Sequence, residues 1–342
     1  MTITTITDKA SGKIIPDLIK NLHQYLADDI AVINEVILQH LAVKEDLVKV
    51  IGNHITTSRG KRIRPILTIL TAKMFGYKGM NDTYLAAAVE LIHLATLLHD
   101  DVVDGSKMRR FLPTANVVWG NKASILVGDF LFSQSFKLIV ATKSLQAMTI
   151  LSKASAIICE GEISQLAKLE ENRIITEDEY TQIINAKTAE LFAASCEVGT
   201  IISVEGKEYS NIMRDFGAIL GNIYQIADDS LDYFSNSSKV GKNIGDDFIE
   251  GKVTLPLILL HKKLMTKDQE KLITLIKSPL RTIDDFTWVC NKMAFLDIHQ
   301  DIKQRLEKLK LEAFDYLQKI AIENESKYYL KLLLEFAINR SY

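Results

Sequence analysis

The chain has 342 residues, of which 47% are hydrophobic, so it is too apolar for a disordered protein and long enough to bury a large core. Forty-one basic residues against 43 acidic ones leave a net charge of −2, which argues against a nucleic-acid-binding protein with a broad basic surface. Five prolines and sixteen glycines are few for a chain of this length, which favours a helical protein.

Taken in order, the chain is a series of helical patterns without the sustained alternation that is typical of strands. We expect residues 1–15 to be a loose lead-in, and no composition shift marks a domain boundary. The predicted helices share apolar residues at helical spacing and cover residues 15–54, 66–75, 85–104, 122–142, 145–171, 176–204 and 209–234, with shorter helices from 254 to 338. The sequence therefore predicts one all-α domain over residues 1–342.

The cysteines and the apolar runs bear on the cellular location. Cys159, Cys196 and Cys290 are far apart and have no CxxC or Cys/His spacing, so we expect reduced thiols in a cytoplasmic protein. The N-terminus has no basic-then-apolar targeting signal. The longest apolar run, residues 85–98, is too short and too polar to span a bilayer, so we expect no integral membrane segment.

Two copies of the acidic motif DDxxD lie near the C-terminal ends of two long predicted helices. They consist of Asp100, Asp101 and Asp104 and of Asp228, Asp229 and Asp232. Carboxylates four residues apart point the same way on a helix, so each copy forms one acidic face. If the two helices pack side by side, the motifs form two walls of one pocket. Mg²⁺ binds in such places through a few carboxylates together with substrate phosphates.

Basic residues with few acidic neighbours in the sequence surround these motifs. They are Lys61, Arg64, Arg109, Arg110, Lys187, Lys242 and Lys252. Unpaired cations beside acidic walls suit a substrate that brings both Mg²⁺ and phosphate charge. The helix before the first motif also presents small side chains, among them Ala95 and Thr96, beside the acidic face. A diphosphate head group on a long hydrocarbon tail fits both features.

These residues make the chain similar to the trans-type polyprenyl diphosphate synthases. The shared motifs, in the family's order, are Gly60-Lys61-Arg62-x-Arg64-Pro65, the first DDxxD, Arg109-Arg110, Gly161-Glu162-x-x-Gln165, Lys187-Thr188-Ala189, Gln225 with the second DDxxD, and a loop with Gly241-Lys242 and Gly251-Lys252. The sequence departs from the family at Phe111, where glycine commonly follows the arginine pair, and at Tyr224, where phenylalanine commonly precedes Gln225. The resemblance implies an all-α helical bundle of the isoprenoid synthase type with a central active-site cavity, and a homodimer.

The resemblance also implies roles for individual residues. Isopentenyl diphosphate would be held by Lys61, Arg64, His93 and Arg110. The allylic diphosphate would be surrounded by Arg109, Lys187, Thr188, Gln225, Lys242 and Lys252, with Gln165 as a further substrate contact. Asp100, Asp104 and Asp228 would be ligands of a cluster of three Mg²⁺ ions, assisted by Asp101, Asp229 and Asp232. These six acids and Lys187 are the residues expected to take part in the chemistry.

The implied reaction elongates an allylic diphosphate, such as farnesyl diphosphate, by successive head-to-tail condensations with isopentenyl diphosphate. In the resembled family, the residues four and five positions before the first aspartate help to set product length. Here they are Thr96 and Ala95, whose small size favours a long product such as octaprenyl diphosphate for a quinone side chain. Phe132 is either a core residue or part of the floor that stops the growing tail.

Other functions remain possible from the sequence. A shorter-chain synthase, making geranylgeranyl or farnesyl diphosphate, needs only a bulky side chain higher in the tunnel. A non-catalytic subunit of a heteromeric synthase should lack some acids or cations, and none is missing here. A class I terpene cyclase shares the first motif, but its second metal motif has a different composition and spacing from Asp228–Asp232. A helical scaffold protein would not need a cation at each of these positions.

Overall fold

The computed structural model describes residues 20–57, 60–171, 173–234 and 245–339. Residues 20–25 are helical. The α-helices that follow are α1 Ala27–Leu41, α2 Asp46–Thr57, α3 Ile63–Met74, α4 Asn81–Val103, α5 Ala115–Trp119, α6 Asn121–Ala141, α7 Leu145–Glu170, α8 Glu177–Ile184, α9 Glu190–Ile201, α10 Ser210–Phe234, α11 Asp246–Glu250, α12 Leu255–Lys263, α13 Thr266–Lys277, α14 Ile283–Phe295, α15 Ile298–Gln318 and α16 Glu325–Asn339. The predicted all-α fold class is confirmed.

Short irregular elements interrupt this series. A π-helix, Asn185–Ala189, joins α8 to α9, and a 3₁₀ turn, Lys207–Tyr209, precedes α10. The described strands are two residues long: β1, Met108–Arg109, pairs antiparallel with β2, Leu112–Pro113. One predicted helix, 176–204, is therefore α8, a π-helix and α9, which ends at Ile201.

The helix α4 lies in the middle of the bundle, in contact with α1, α3, α6 and α9. A helix with neighbours on every side is expected to be apolar all round, and Leu85 to Leu91 are buried and, apart from Glu90, apolar, including three successive alanines. The helix begins at Asn81, four residues earlier than predicted, because the polar first turn continues the same helix. This central position brings the C-terminal end of α4, with the first acidic motif, to the cavity.

The second acidic motif is carried by α10, which packs against α9, α12, α15 and α16. Glycine makes the α9 side of this packing possible. A Cβ atom on Gly221 would lie 2.5 Å from Cα of Ala189, which is closer than side chains tolerate. The close approach holds α10 against the π-helix and α9, so that residues from both segments reach the same cavity.

The described hydrophobic core is continuous from Leu22 near the start of the described chain to Ile338 near its end. Within the described residues, one helix, α6, is long and apolar enough to cross a membrane by length and composition alone. Core helices of soluble proteins satisfy the same criterion, and α6 packs along α4 on one side. Its other side exposes Leu126 and Val140.

Candidate active site

Both acidic motifs face one cavity of about 1070 Å³. Sixteen of the residues that the sequence singles out lie on its wall: Lys61, Arg64, His93, Thr96, Asp100, Asp104, Arg109, Arg110, Gln165, Lys187, Thr188, Gln225, Asp228, Asp229, Asp232 and Lys252. Asp101, Ala95 and Phe132 are not among the lining residues, and Lys242 lies outside the described residues. Residues distant in the sequence thus meet at a single site.

In the first motif, each carboxylate has a different environment. Asp101 is buried, and Arg109 donates to one of its oxygens from Nε at 2.9 Å and Nη2 at 2.8 Å. Asp104 accepts a hydrogen bond from Lys252 Nζ at 2.8 Å. Burial raises the pKa of Asp100 to about 7, against the opposing effect of Lys187. The motif therefore presents Asp100 and Asp104 to the cavity, while Asp101 anchors an arginine.

The expectation that the cavity cations have no acidic partners is wrong, as three ion-paired cations show. Arg109 binds Asp101, Lys252 binds both Asp104 and Glu250, and the third pair joins Lys187 Nζ to Glu162 at 2.7 Å. Two of these four pairs, Lys252–Asp104 and Lys187–Glu162, join residues that are distant in the sequence and come together only in the fold. A diphosphate or metal ion that enters the cavity would therefore displace the present partner of a charged group when it binds that group.

In the second motif, both oxygens of Asp229 are occupied by neutral donors. The hydroxyl of Tyr180 donates to one at 2.7 Å, and Nε2 of Gln225 donates to the other at 2.7 Å. Thr188 in turn donates to the amide oxygen of Gln225 at 2.7 Å. Burial, followed by the nearby charge of Asp247, raises the pKa of Asp229 to about 7. Asp229 is therefore part of a buried hydrogen-bond chain.

Asp232 binds the backbone of the segment that returns to the cavity. The backbone N–H groups of Gly245 and Asp247 donate to its two oxygens at 3.1 and 3.2 Å. Burial raises the pKa of Asp232 to about 7, and the nearby charge of Asp247 is the second cause of this increase. Asp228 is the exposed acid of this motif. Asp228 thus faces the cavity, whereas Asp229 and Asp232 also accept hydrogen bonds from neighbouring segments.

The π-helix places Lys187 and Thr188 on the cavity wall. Single π turns widen a helix locally and are frequent at functional sites. The neighbouring helix α7 comes so close that a Cβ atom on Gly161 would lie 2.8 Å from Cβ of Ala186 and 2.9 Å from the backbone nitrogen of Lys187. The glycine of the Gly161-Glu162 motif therefore makes room for the π-helix, and Glu162 binds the lysine that it carries.

A second cationic region lies at the start of α3. Arg64 donates from Nη1 to Nε2 of His93 at 3.1 Å, and its guanidinium lies 4.5 Å from the ring centroid of Phe192. Because a guanidinium can only donate, Nε2 accepts, and neutral His93 carries its proton on Nδ1. Burial and the charge of Arg64 hold the pKa of His93 well below its usual value. Lys61 lies with Nζ 4.3 Å from the ring centroid of Phe336.

The arginine pair lies in the hairpin formed by β1 and β2. Arg110 and Phe111 form its two-residue loop, with φ of +51° and +66°. Both values are in the left-handed region, as in the type I′ turns that favour asparagine and glycine. The departure from the family at Phe111 thus occurs at a position where glycine would be unstrained. The Phe111 side chain is 68% exposed on the rim of the cavity.

The chain-length residues differ in their positions. Thr96 lines the cavity, and its hydroxyl donates to the backbone oxygen of His93 at 2.9 Å. Ala95 is buried in the core of the bundle. Phe132 is half-buried on α6 and packs edge-on against Phe136, with ring centroids 5.1 Å apart. Their effect on product length stays a prediction.

Tyr180 and Glu90 are among the residues of the site that sequence reasoning missed. Tyr180 is buried on α8 and lies seven residues, or about two helical turns, before Lys187. That spacing places both on one helix face, so the periodicity could have revealed it. Glu90 is a buried acid three residues before His93 on α4, again on the same face. Both residues line the cavity.

The donor atoms of the site suit a hard metal ion. Within the described part of the chain, no three acidic, histidine or cysteine side chains lie close enough together to hold a metal by themselves. Three of the acids on the cavity wall, Asp100, Asp104 and Asp228, offer only oxygen ligands, and burial already disfavours the charge on Asp100. An ion bound partly by a few carboxylates and partly by substrate phosphates fits this arrangement, which is the way Mg²⁺ usually binds.

Comparison with known proteins gives consistent matches. The polyprenyl synthetase family model matches residues 45–293. Octaprenyl diphosphate synthase of Escherichia coli is 41% identical over 240 residues, 70% of this chain and 74% of that protein. Octaprenyl diphosphate synthase of Haemophilus influenzae is 36% identical over 322 residues, 93% of this chain and 96% of that protein.

A solved structure extends the similarity to the fold. Polyprenyl synthase from Caulobacter crescentus, complexed with calcium and isoprenyl diphosphate, superposes with a TM-score of 0.90 at 37% identity. The match covers 95% of this chain and 98% of that chain. With the two acidic motifs on one cavity of an all-α bundle, these findings show that the chain belongs to the polyprenyl synthetase family, that of the trans-type polyprenyl diphosphate synthases.

Proposed function

We propose that the protein elongates an allylic diphosphate, such as farnesyl diphosphate, by successive trans head-to-tail condensations with isopentenyl diphosphate. The observation that carries this proposal is the shared cavity, whose wall holds both acidic motifs together with six of the cations that the sequence singles out. The cations are Lys61, Arg64, Arg109, Arg110, Lys187 and Lys252. Such a wall can hold two diphosphate groups at once, as a condensation of two diphosphates requires.

The cations fall into two groups, one for each substrate. Lys61, Arg64 and Arg110, with neutral His93, would hold isopentenyl diphosphate. The contact between Gly60 and Arg110 supports this grouping, since a Cβ atom on Gly60 would lie 2.6 Å from Nη1 of Arg110. The allylic diphosphate would be surrounded by Arg109, Lys187, Thr188, Gln225, Lys242 and Lys252, with Gln165 nearby. Orientation of both substrates in one cavity favours their condensation.

The proposed cofactor is Mg²⁺, with three ions expected when diphosphate is bound. Asp100, Asp104 and Asp228 would hold them, and Asp101, Asp229 and Asp232 would orient the surrounding groups. When bound, Mg²⁺ would neutralise the negative charge that develops on the leaving diphosphate. Lys187 and Arg109 would contribute hydrogen bonds to the same leaving group. No side-chain nucleophile is required, because the double bond of isopentenyl diphosphate supplies the electrons and the departing diphosphate can accept the proton.

A long product, with octaprenyl diphosphate as the first candidate, is the proposed outcome of elongation. Thr96 on the cavity wall is small, so the space below the first motif is not closed by an aromatic ring at that position. The proposed use of such a chain is the side chain of a quinone. The alternative is a shorter-chain synthase, for which another side chain would have to close the tunnel.

A cytoplasmic homodimer is part of the proposal. The side of α6 that faces away from α4 exposes Ile125, Leu126 and Val140, and a second copy of the chain could cover these apolar side chains. Analytical ultracentrifugation of the purified protein tests this, since a dimer has twice the chain mass. A monomer at micromolar concentration would contradict it.

A product assay tests the proposed function directly. Purified protein would receive Mg²⁺, labelled isopentenyl diphosphate and farnesyl diphosphate, and the dephosphorylated products would be sized by chromatography. We expect one peak near the octaprenyl standard. A geranylgeranyl peak would support the shorter-chain alternative.

Two controls complete the assay. The variant Asp228→Ala should lose turnover by about two orders of magnitude or more while it keeps its helical circular dichroism. Condensation that requires a second, unrelated chain in the reaction would point instead to a non-catalytic subunit.

A further inference from the structure

A buried acid on α4, Glu90, takes no part in the reaction proposed above. Its side chain is 7% exposed, yet it lies in an otherwise apolar stretch of the central helix. An ionised carboxylate in such a place needs a partner, and an acid without a function would be costly to retain there. Its position three residues before His93 places it next to the isopentenyl diphosphate side of the cavity.

The partner of Glu90 is Arg62, which belongs to the Gly60–Pro65 segment. Nη1 of Arg62 donates to Oε1 of Glu90 at 3.1 Å, and Nη2 donates to the backbone oxygen of Thr56 at 3.4 Å. The side chain of Arg62 is 16% exposed. One guanidinium thus connects the central helix to the last turn of α2 and to the segment that leads into α3.

The backbone of Arg62 has an unusual conformation. It precedes α3 with φ of +52° and ψ of +34°, in the left-handed region that residues other than glycine avoid. A non-glycine residue persists in this region only where its surroundings hold it. The contacts to Glu90 and Thr56 are the described side-chain contacts that can do so. The direction of the chain at Arg62 decides where its neighbours Lys61 and Arg64 point.

Glu90 also acts on Arg64 by charge. Burial lowers the pKa of Arg64 to about 10, and the negative charge of Glu90 is the largest opposing influence. Arg64 is held from one side by His93, which is neutral and adds no negative charge. Glu90 therefore compensates the charge of Arg64 most strongly, and Asp228 is the next acid to do so.

We infer that Glu90 is a positioning residue for the isopentenyl diphosphate site, because through Arg62 it fixes the segment that presents Lys61 and Arg64 to the cavity. The inference rests on the proposed function for the identity of the ligand. In this role Glu90 acts through Arg62. Its loss should weaken the site for isopentenyl diphosphate and leave the allylic site intact.

The variant Glu90→Gln tests the inference, since glutamine keeps the volume and one acceptor but removes the charge. We expect the KM for isopentenyl diphosphate to rise about ten-fold, while the KM for farnesyl diphosphate changes less than about two-fold. Arg62→Gln should give the same pattern. The double variant should be no worse than Glu90→Gln alone, because Arg62 acts through its contact with Glu90.

Glu197→Gln is the matched control. Glu197 also binds an arginine, Arg214, at 2.9 Å and is 12% exposed, but it does not line the cavity. It should leave both KM values unchanged. Equal changes of the two KM values in Glu90→Gln, or a fall in thermal stability with neither KM altered, would assign Glu90 a merely structural role and overturn the inference.

Calorimetric titration with isopentenyl diphosphate separates the inference from the proposed function. Weaker binding to Glu90→Gln than to the unmodified protein supports the inference even if no condensation is detected. No condensation by the unmodified protein would contradict the proposed function alone. Equal binding by the two proteins would contradict the inference, whatever the condensation assay gives.

Discussion

The hydroxyl of Tyr180 donates a hydrogen bond to Asp229 at 2.7 Å, and this bond joins α8 to the second acidic motif on α10. Gln225 occupies the other oxygen of Asp229, and Thr188 of the π-helix orients Gln225. The middle acid of the second motif is thus fixed by three segments. The middle acid of the first motif, Asp101, is fixed in an analogous way by Arg109.

Replacement of Tyr180 by phenylalanine should lower turnover about ten-fold. The change leaves one oxygen of buried Asp229 without its donor, and a hydrogen bond to a charged group contributes about 1.5–3 kcal/mol. Steady-state kinetics with both substrates would measure the loss. Tyr328→Phe, on the exposed side of α16, is the control and should have normal turnover. Normal turnover in Tyr180→Phe would show that Asp229 keeps its orientation without the tyrosine.

Gly161→Ala should damage both stability and activity. The added methyl group would overlap Ala186 and the backbone nitrogen of Lys187, so that α7 or the π-helix must move. Forced overpacking of this kind costs about 1–3 kcal/mol, measurable by urea denaturation. Turnover should fall as well, because the π-helix carries Lys187.

The control for Gly161→Ala is Gly52→Ala, whose methyl group would meet only the end of the flexible Leu41 side chain, at 3.0 Å. This control should change turnover little. If Gly161→Ala is as active and as stable as the unmodified protein, the two helices are not held together as tightly as the distances indicate.

Local patterns were enough to predict the acidic faces of the site. Asp100 and Asp104 are four residues apart, so the geometry of one helix already aligns them, and the same holds for Asp228 and Asp232. The all-α fold followed from helical spacing of apolar residues. These features depend on a few neighbouring residues, which is why the sequence alone indicated them.

Contacts between distant segments could not be predicted in this way. Lys252 binds Asp104 across 148 positions of the chain, and nothing near either residue announces the pair. The π-helix at Lys187 was also missed, because its extra residue is accommodated by Gly161 on a neighbouring helix rather than by a local signal. Tertiary packing determines both features.

The hairpin loop offers a test of backbone strain. Phe111 has φ of +66°, where a Cβ atom costs about 1–2 kcal/mol and glycine is unstrained. Phe111→Gly should therefore be more stable than Phe111→Ala by about 1 kcal/mol, since both remove the ring but only glycine removes the Cβ atom. Urea denaturation of the two variants measures the difference. Equal stability, or a more stable alanine variant, would show that the loop relaxes without strain.

His93 should make the protein sensitive to acid. Its folded-state pKa lies well below the value of 6.5 for an unfolded histidine, so below about pH 6.5 the unfolded chain binds a proton that the folded protein does not. The free energy of unfolding therefore decreases as the pH is lowered through this range, by up to about 1.4 kcal/mol per pH unit from this group.

The variant His93→Gln cannot take up that proton and should lose less stability on acidification. The free energies of unfolding at about pH 7.5 and about pH 5.5 give the change for each protein, and the change should be about 1 kcal/mol smaller for the variant. The difference in the free energy of unfolding between the two proteins at the higher pH is the baseline, and it includes the loss of the contact between His93 and Arg64. An equal change in both proteins would mean that His93 is as easily protonated in the fold as in the unfolded chain.

Thr96→Phe should shorten the product. Thr96 lies on the cavity wall one helical turn below Asp100, so an aromatic ring there would project into the path of the growing hydrocarbon chain. We expect products near the farnesyl or geranylgeranyl standards in the chromatographic assay.

Ala95→Phe should shorten the product less directly, because Ala95 is packed in the core, where a ring also costs stability. Thr96→Val, with nearly the same volume, is the control and should keep the original length. A full-length product from both aromatic variants would place the length-determining residues elsewhere in the tunnel, with Phe132 as the next position to change.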